Sequence, residues 1–216
     1  MPEKVFHPQS KKELIGVSRI VGSLSKAGLI KYFYRPKGFQ EADRITEESR
    51  ARGLRIGKLF ENLATKNSIE FNNDEERLFA SAWASWHKAS NAAFIQVETA
   101  VYDYDALYWG RPDFVNVDVN GTVEIGDYKV KAHKADYQTR LAEEAYIRAY
   151  NKYAATNSNP FATRIRVVTF HPETAAVTQE LFFPDDNIWE DFLTCNHMYY
   201  TNQNAEAYYH KMRHGG

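Results

Sequence analysis

From Asp74 to Ala93 the chain sets Phe79, Trp83 and Trp86 at helical spacing among alanines, which predicts a helix with those aromatics turned into a core. The period then changes from helical to alternating. Ile95 to Tyr102, Tyr108 to Asp118 and Thr122 to Val130 read as strands, with Asn120-Gly121 as a turn between the last two. Ala135 to Ala155 returns to helix. Arg164 to His171 and Ala176 to Phe182 read as two more strands, and the Tyr-rich stretch from Asp185 to Met212 as helix. Upstream, Ser18 to Tyr34 reads as a short helix stopped by Pro36 and Gly38. Thr46 to Ala64 reads as a second, with Glu47 and Glu48 early and basic residues later, as the helix dipole prefers. The pattern predicts an α+β core with a mixed central sheet flanked by helices, residues 74–216. A helical amino-terminal region, residues 1–73, is expected to pack on it.

Composition narrows the function classes only slightly. The 216 residues are 44% hydrophobic and 25% charged, enough for a sizeable core under a wet surface. Twenty-seven basic residues meet 28 acidic ones, so net charge does not advertise a nucleic-acid partner. It does not exclude one, because a basic patch can balance an acidic site elsewhere. The single cysteine, Cys195, excludes an intrachain disulfide, a four-cysteine zinc site and a cysteine-ligated iron–sulfur cluster. The amino terminus is polar, and no apolar run approaches the roughly 18–20 residues that span a bilayer. No membrane partner is expected, and the expected location is cytoplasmic.

The second and third strands can be set in register from sequence. A three-residue loop, Val119-Asn120-Gly121, with glycine in the left-handed position, pairs Val117 with Val123 and Val115 with Ile125. Two residues further, Asp113 faces Asp127, and Lys129 follows on the same face. Opposed carboxylates repel. A divalent cation between them removes the repulsion, and oxygen ligands suit Mg²⁺ or Mn²⁺. A solvated strand end, where the charges splay apart, is the competing reading.

At these residues the chain resembles the PD-(D/E)xK nucleases, and within them the RecB-like and phage-exonuclease branch without an iron–sulfur cluster. The resemblance is carried by Glu98, by Gly110-Arg111-Pro112-Asp113 and by Asp127-Tyr128-Lys129, with a hairpin between the last two sets. It implies a restriction-endonuclease-like fold and a metal-dependent nuclease acting on DNA. It further implies an exonuclease used in recombination, replication or DNA processing by a virus or mobile element, in which case the cytoplasm is the host's. A single-strand or structure-specific endonuclease and a non-catalytic nucleic-acid-binding module on the same fold are the alternatives.

By the same resemblance Asp113, Asp127 and the Tyr128 carbonyl bind metal, Lys129 acts on the reacting phosphate, and Glu98 holds a second ion or orients a water. The chain departs from the branch at two places. Glu61 stands where a histidine is usual, so it is either a carboxylate ligand or an ordinary helical acid. In the helix after Lys129 the usual Gln and Tyr pattern is broken. Gln138 lies two residues early, and Arg140 with Glu144 takes the expected spacing. Gln138 or Arg140 would then meet the substrate backbone. Two further basic groups could hold phosphates or merely be solvated: Arg52, Arg55 and Lys58 along one helix, and Lys131 with Lys134 just after the catalytic lysine.

Overall fold

The alternation of apolar side chains sorts the chain onto two faces of one sheet. The computed structural model describes residues 4–24, 35–65, 69–132 and 135–214. Among these, five strands form the central sheet: β3 (Ala93–Val97), β6 (Phe114–Val117), β7 (Val123–Val130), β8 (Ala162–Phe170) and β9 (Val177–Phe182), in the order β3-β6-β7-β8-β9. All neighbours are antiparallel except β7 and β8, which run parallel. A parallel pair needs a crossover. The helix Tyr137–Asn157 provides it, capped at its start by the Asp136 carboxylate, which accepts from the Thr139 N–H at 2.8 Å.

Two more helices cover the opposite face: Phe39–Thr65 and Asp74–Ser90. The second starts where the Asn73 side chain accepts from the Glu76 N–H at 2.9 Å, and it stops at Asn91, which adopts a left-handed φ of 47°. Phe60, Phe79, Trp83 and Trp86 from these helices pack on Phe114, Val168 and Phe170, so the aromatics at helical spacing do line a core. The crossover helix builds the other core, where Leu141, Ala145 and Ile147 meet Val115, Ile125, Ile165 and Val167. In chain order the described helices are α1 (Val17–Gly22), α2 (Arg35–Lys37), α3 (Phe39–Thr65), α4 (Asp74–Ser90), α5 (Tyr137–Asn157) and α6 (Asp186–His214). None of them is long and apolar enough to cross a membrane.

Two of the strands expected from sequence are each broken in half. The first divides into β3 and β4 (Val101–Asp103), the second into β5 (Tyr108–Gly110) and β6. The upstream or downstream halves, β4 and β5, join a second sheet of order β1-β2-β5-β4, with β1 at Val5–Phe6 and β2 at Glu13–Gly16. The long hairpin is therefore folded across two sheets. It creases at Glu98–Ala100 on one strand and Arg111–Asp113 on the other. Pro112 lacks an N–H for the ladder, and Glu98 takes a left-handed φ of 49°, so neither crease can continue regular pairing.

The amino-terminal region contributes β1 and β2 as well as helices. Two- and four-residue strands are too short to show a period in sequence. The helix expected from Ser18 to Tyr34 is present as α1 over Val17–Gly22, and residues 25–34 lie outside the described residues.

Candidate active site

The hairpin between β6 and β7 has the register read from sequence as far as Phe114 and Gly126, where the ladder ends short of the expected Asp113–Asp127 pair. The Gly121 N–H donates to the Asp118 carbonyl at 3.0 Å, the Asp118 N–H to the Thr122 carbonyl at 2.9 Å, and Gly121 has the left-handed φ of 80° that the turn requires. Val117 pairs with Val123, Val115 with Ile125 and Phe114 with Gly126. The odd-numbered residues of β7 face α5. Val123 and Ile125 fill the core there, and Asp127 and Lys129 continue the same face at the strand's carboxyl end.

Past Phe114 the chain creases, and the Asp113 side chain turns back across the hairpin. Its Oδ2 accepts the Tyr128 N–H at 2.6 Å, while its backbone carbonyl accepts the Glu98 N–H at 3.0 Å. One aspartate thereby ties both creases to the end of β7. The Lys129 ammonium forms an ion pair with Asp127. The Tyr128 side chain points the other way, into the aromatic core among Phe60, Trp86, Phe114 and Phe170, so only its backbone reaches the site.

The electrostatics are those of crowded acids. Burial first, and the Asp127 charge second, push the Asp113 carboxyl well above its ordinary value, against the pull of Lys129 and the Tyr128 N–H. Burial and then the charge of Glu61 raise Glu98, with Arg111 opposing. Burial works against the Lys129 ammonium, but Asp127, Glu143 and Asp113 outweigh it and raise it well above its ordinary value.

Sequence reasoning missed two groups that share these charges. Glu143, on α5, is fully buried, and neither carboxylate oxygen has a hydrogen-bond partner. Burial and Asp127 push its carboxyl well up. Tyr146, one turn along the same helix, is 7% exposed and feels the charges of Asp127 and Glu143. A signal for both existed. Thr139, Glu143, Tyr146 and Tyr150 recur at the spacing of one helical face, and an acid within a buried stripe is out of place unless something needs it. Thr169, paired with Lys129 across β7 and β8, adds a buried hydroxyl with no partner.

The other expected site residues are placed less favourably for that role. Glu61 lies near enough to Glu98 to raise it, but both its oxygens are held by Lys58 at 2.6 Å. Arg52 and Arg55 both pair with Glu75, and Arg52 also donates to the Pro172 carbonyl. The basic stripe on α3 is thus engaged within the protein. Lys131 reaches Asp136 at 3.6 Å and Thr139 at 3.3 Å, at the start of α5. Arg140 stacks on the Phe182 ring at 3.9 Å, and Glu144 pairs with Arg148 at 2.8 Å. Gln138 is half-buried in the first turn of α5. Lys134 lies outside the described residues.

A cleft of about 350 Å³ opens beside the acids. Gly16, Val17, Ser18 and Arg19 form one wall, Trp109, Gly110 and Arg111 another, and Tyr146 the boundary with the carboxylates. Among the described residues no three acidic, histidine or cysteine groups converge as a ready-made metal cage. The donor set nonetheless suits a hard cation. It consists of carboxylate oxygens, two of them buried and without any partner, around one ammonium.

The family model of the PD-(D/E)XK nuclease superfamily matches residues 25–213. Among solved structures, an alkaline exonuclease (LHK-Exo) from Laribacter hongkongensis resembles the chain with a TM-score of 0.52 and 14% identity, over 93% of this chain and 92% of that one. That likeness is one of fold. A structure of LHK-Exo in complex with dAMP covers the same shares at 15% identity and a TM-score of 0.42. No curated protein matches the chain.

Proposed function

Because the chain belongs to the PD-(D/E)XK nuclease superfamily, we propose that it is an exonuclease that hydrolyses DNA with Mg²⁺ or Mn²⁺ through Asp113, Asp127 and Lys129. The observation that carries this reading is the junction at the end of β7. There Asp127 and Lys129 share one face, and Asp113 is bonded across the hairpin to the Tyr128 N–H.

Members of the superfamily generally use divalent metals. Asp113 and Asp127 would supply carboxylate oxygens to the ion, with the Tyr128 backbone carbonyl beside them and Glu98 behind. The ion, when bound, neutralises charge on the scissile phosphate and lowers the pKa of a water. Lys129 does the chain's own part of the chemistry. Its raised pKa keeps it an ammonium, able to donate a hydrogen bond to a phosphate oxygen as negative charge builds there. Arg19, which lies 4.0 Å from Glu13, and Arg111 wall the adjoining cleft, and their charges would meet the phosphates of a strand approaching the acids. The likeness of fold to an alkaline exonuclease supports the exonuclease among the nucleases.

The test uses end-labelled linear DNA and closed circular DNA, each with Mg²⁺, Mn²⁺ or chelator. We expect metal-dependent release of nucleotides from the linear substrate, an intact circle, and no cleavage by Asp127→Asn. Cutting of the circle would replace the exonuclease by an endonuclease. Binding without cleavage under every condition would replace the enzyme by a binding module.

A further inference from the structure

We infer that Glu143 is a ligand of the divalent cation, a third carboxylate delivered from α5 to the pair carried by the hairpin. The inference rests on the proposed nuclease reading and adds to it a residue outside its motifs.

Buried glutamates among the described residues are otherwise satisfied. Among the described residues four glutamates are buried: Glu76, Glu124, Glu143 and Glu144. Glu76 accepts the Asn72 N–H at 2.8 Å and its side-chain amide at 3.0 Å. Glu124 is held by Arg166 in a two-pronged pair at 2.6 and 2.9 Å. Glu144, the next residue on α5, accepts from Arg148 at 2.8 Å and from the Asp185 N–H at 3.1 Å. Glu143 is as deeply buried as any of them, and both its oxygens are bare. A carboxylate stripped of water and given no donor is among the costliest arrangements in a protein interior. It is retained where something absent from the bare chain supplies the missing charge.

The surroundings identify that charge. Asp127 and Asp113 act on Glu143 as like charges, and Lys129 is the opposing one. The Lys129 ammonium is already engaged by Asp127. Three carboxylates against one ammonium leave an excess of two negative charges, which one divalent cation cancels. A second lysine or arginine from the protein would leave half of the excess uncovered. Glu143 also belongs to the right face, since α5 packs on the side of β7 that carries Asp127 and Lys129. A bare acid at that place fits a hard oxygen-seeking ion better than a phosphate, which it would repel.

The test is Mn²⁺ binding by the full chain without nucleic acid, followed by calorimetry and by the electron paramagnetic resonance of free Mn²⁺. Wild type, Glu143→Gln, Glu143→Asp and Asp127→Asn are compared after circular dichroism has shown each to be folded. We expect Glu143→Gln to weaken Mn²⁺ binding by roughly tenfold or more. Glu143→Asp, which keeps the charge, should retain more affinity than Glu143→Gln. If Glu143→Gln binds Mn²⁺ like wild type while Asp127→Asn loses it, the inference is overturned and the nuclease site stands. If Asp127→Asn alone keeps wild-type affinity, the assignment of the hairpin pair fails and Glu143 remains a ligand. If all variants bind alike, both fail. Should Glu143→Gln not fold, Glu143→Ala takes its place, and wild-type affinity in folded Glu143→Ala together with loss in Asp127→Asn would overturn the inference.

Discussion

Replacing Asp113 by Asn removes one of two charges that the hairpin forces together. In the metal-free protein the Asp113 carboxyl is raised above its ordinary 3.8, by burial and then by Asp127. The folded state therefore binds this proton more tightly than the unfolded state does. Its contribution to stability is complete below 3.8 and is lost as pH rises through the folded value. At pH 8 the group is a liability unless a cation offsets it. Unit charges about 4 Å apart repel by about 1–4 kcal/mol, depending on the local dielectric. The Tyr128 N–H and Lys129 offset part of that, so Asp113→Asn should gain about 1 kcal/mol with chelator present. For a chain of this size that is about 2–4 °C in Tm. Mn²⁺ at about one hundred times its Kd should add about 2.7 kcal/mol to wild type, or about 5–11 °C. The variant should respond much less. The assay is a set of thermal melts at pH 6 and pH 8, wild type and variant, each with chelator and with excess Mn²⁺. Equal Mn²⁺ shifts in both proteins, or none in either, would refute the shared-ion argument. A variant with no metal-free advantage at pH 8 would refute the repulsion argument.

Three further outcomes follow from the same geometry. Lys129→Ala should abolish cleavage while leaving a folded protein that still binds DNA, as gel shift and circular dichroism would report; wild-type cleavage would exclude Lys129 from the chemistry. A Cβ on Gly126 would lie 2.1 Å from the Phe114 ring and 2.8 Å from the Arg166 carbonyl, so Gly126→Ala should cost about 1–3 kcal/mol, with part of the loss recovered by adding Phe114→Leu. An unchanged melt would mean that the ring yields freely. Arg52→Ala should lower Tm, because it strips Glu75 and Pro172 of a donor, yet leave the salt dependence of DNA binding unchanged; a flatter salt slope would return that stripe to the DNA interface.

The parts legible in sequence were those governed by local rules. The β6–β7 register follows from a two-residue period and one turn glycine, and it held to Phe114 and Gly126. The core aromatics of α4 follow from helical spacing. Pro112, which lacks an N–H, marks one crease in sequence as a place where the ladder can break, but the change of sheet leaves no mark on the alternating pattern around Glu98 and Pro112. The partners of Arg52 and Arg55 were hidden for another reason. Glu75 is 23 and 20 residues away in sequence, and only the packing of α3 on α4 brings it within reach. Glu143 was visible as an acid in a buried stripe, but its meaning needed the structure, which shows that its neighbour Glu144 is satisfied and it is not.

The creases also explain why the acids gather where they do. A continuous pair of strands would carry Glu98 and Asp113 on a regular ladder, where alternation fixes the face of each side chain. Breaking both strands at one level releases those residues from that constraint. Glu98 turns through a left-handed conformation that its side chain disfavours, and Asp113 reaches back to the Tyr128 N–H. The chain tolerates this because β3 and β6 remain anchored in the central sheet while β4 and β5 are anchored in the second one. A local conformation that would be unstable alone is thereby fixed from both ends. The cleft lined by Arg19, Trp109 and Arg111 lies on the second sheet's side of the creases. Glu98→Gly tests the anchoring: glycine accepts the left-handed φ without strain and removes one of the crowded charges. The variant should therefore be at least as stable as wild type, and a marked loss of stability would show that the Glu98 side chain, rather than the two sheets, holds the crease.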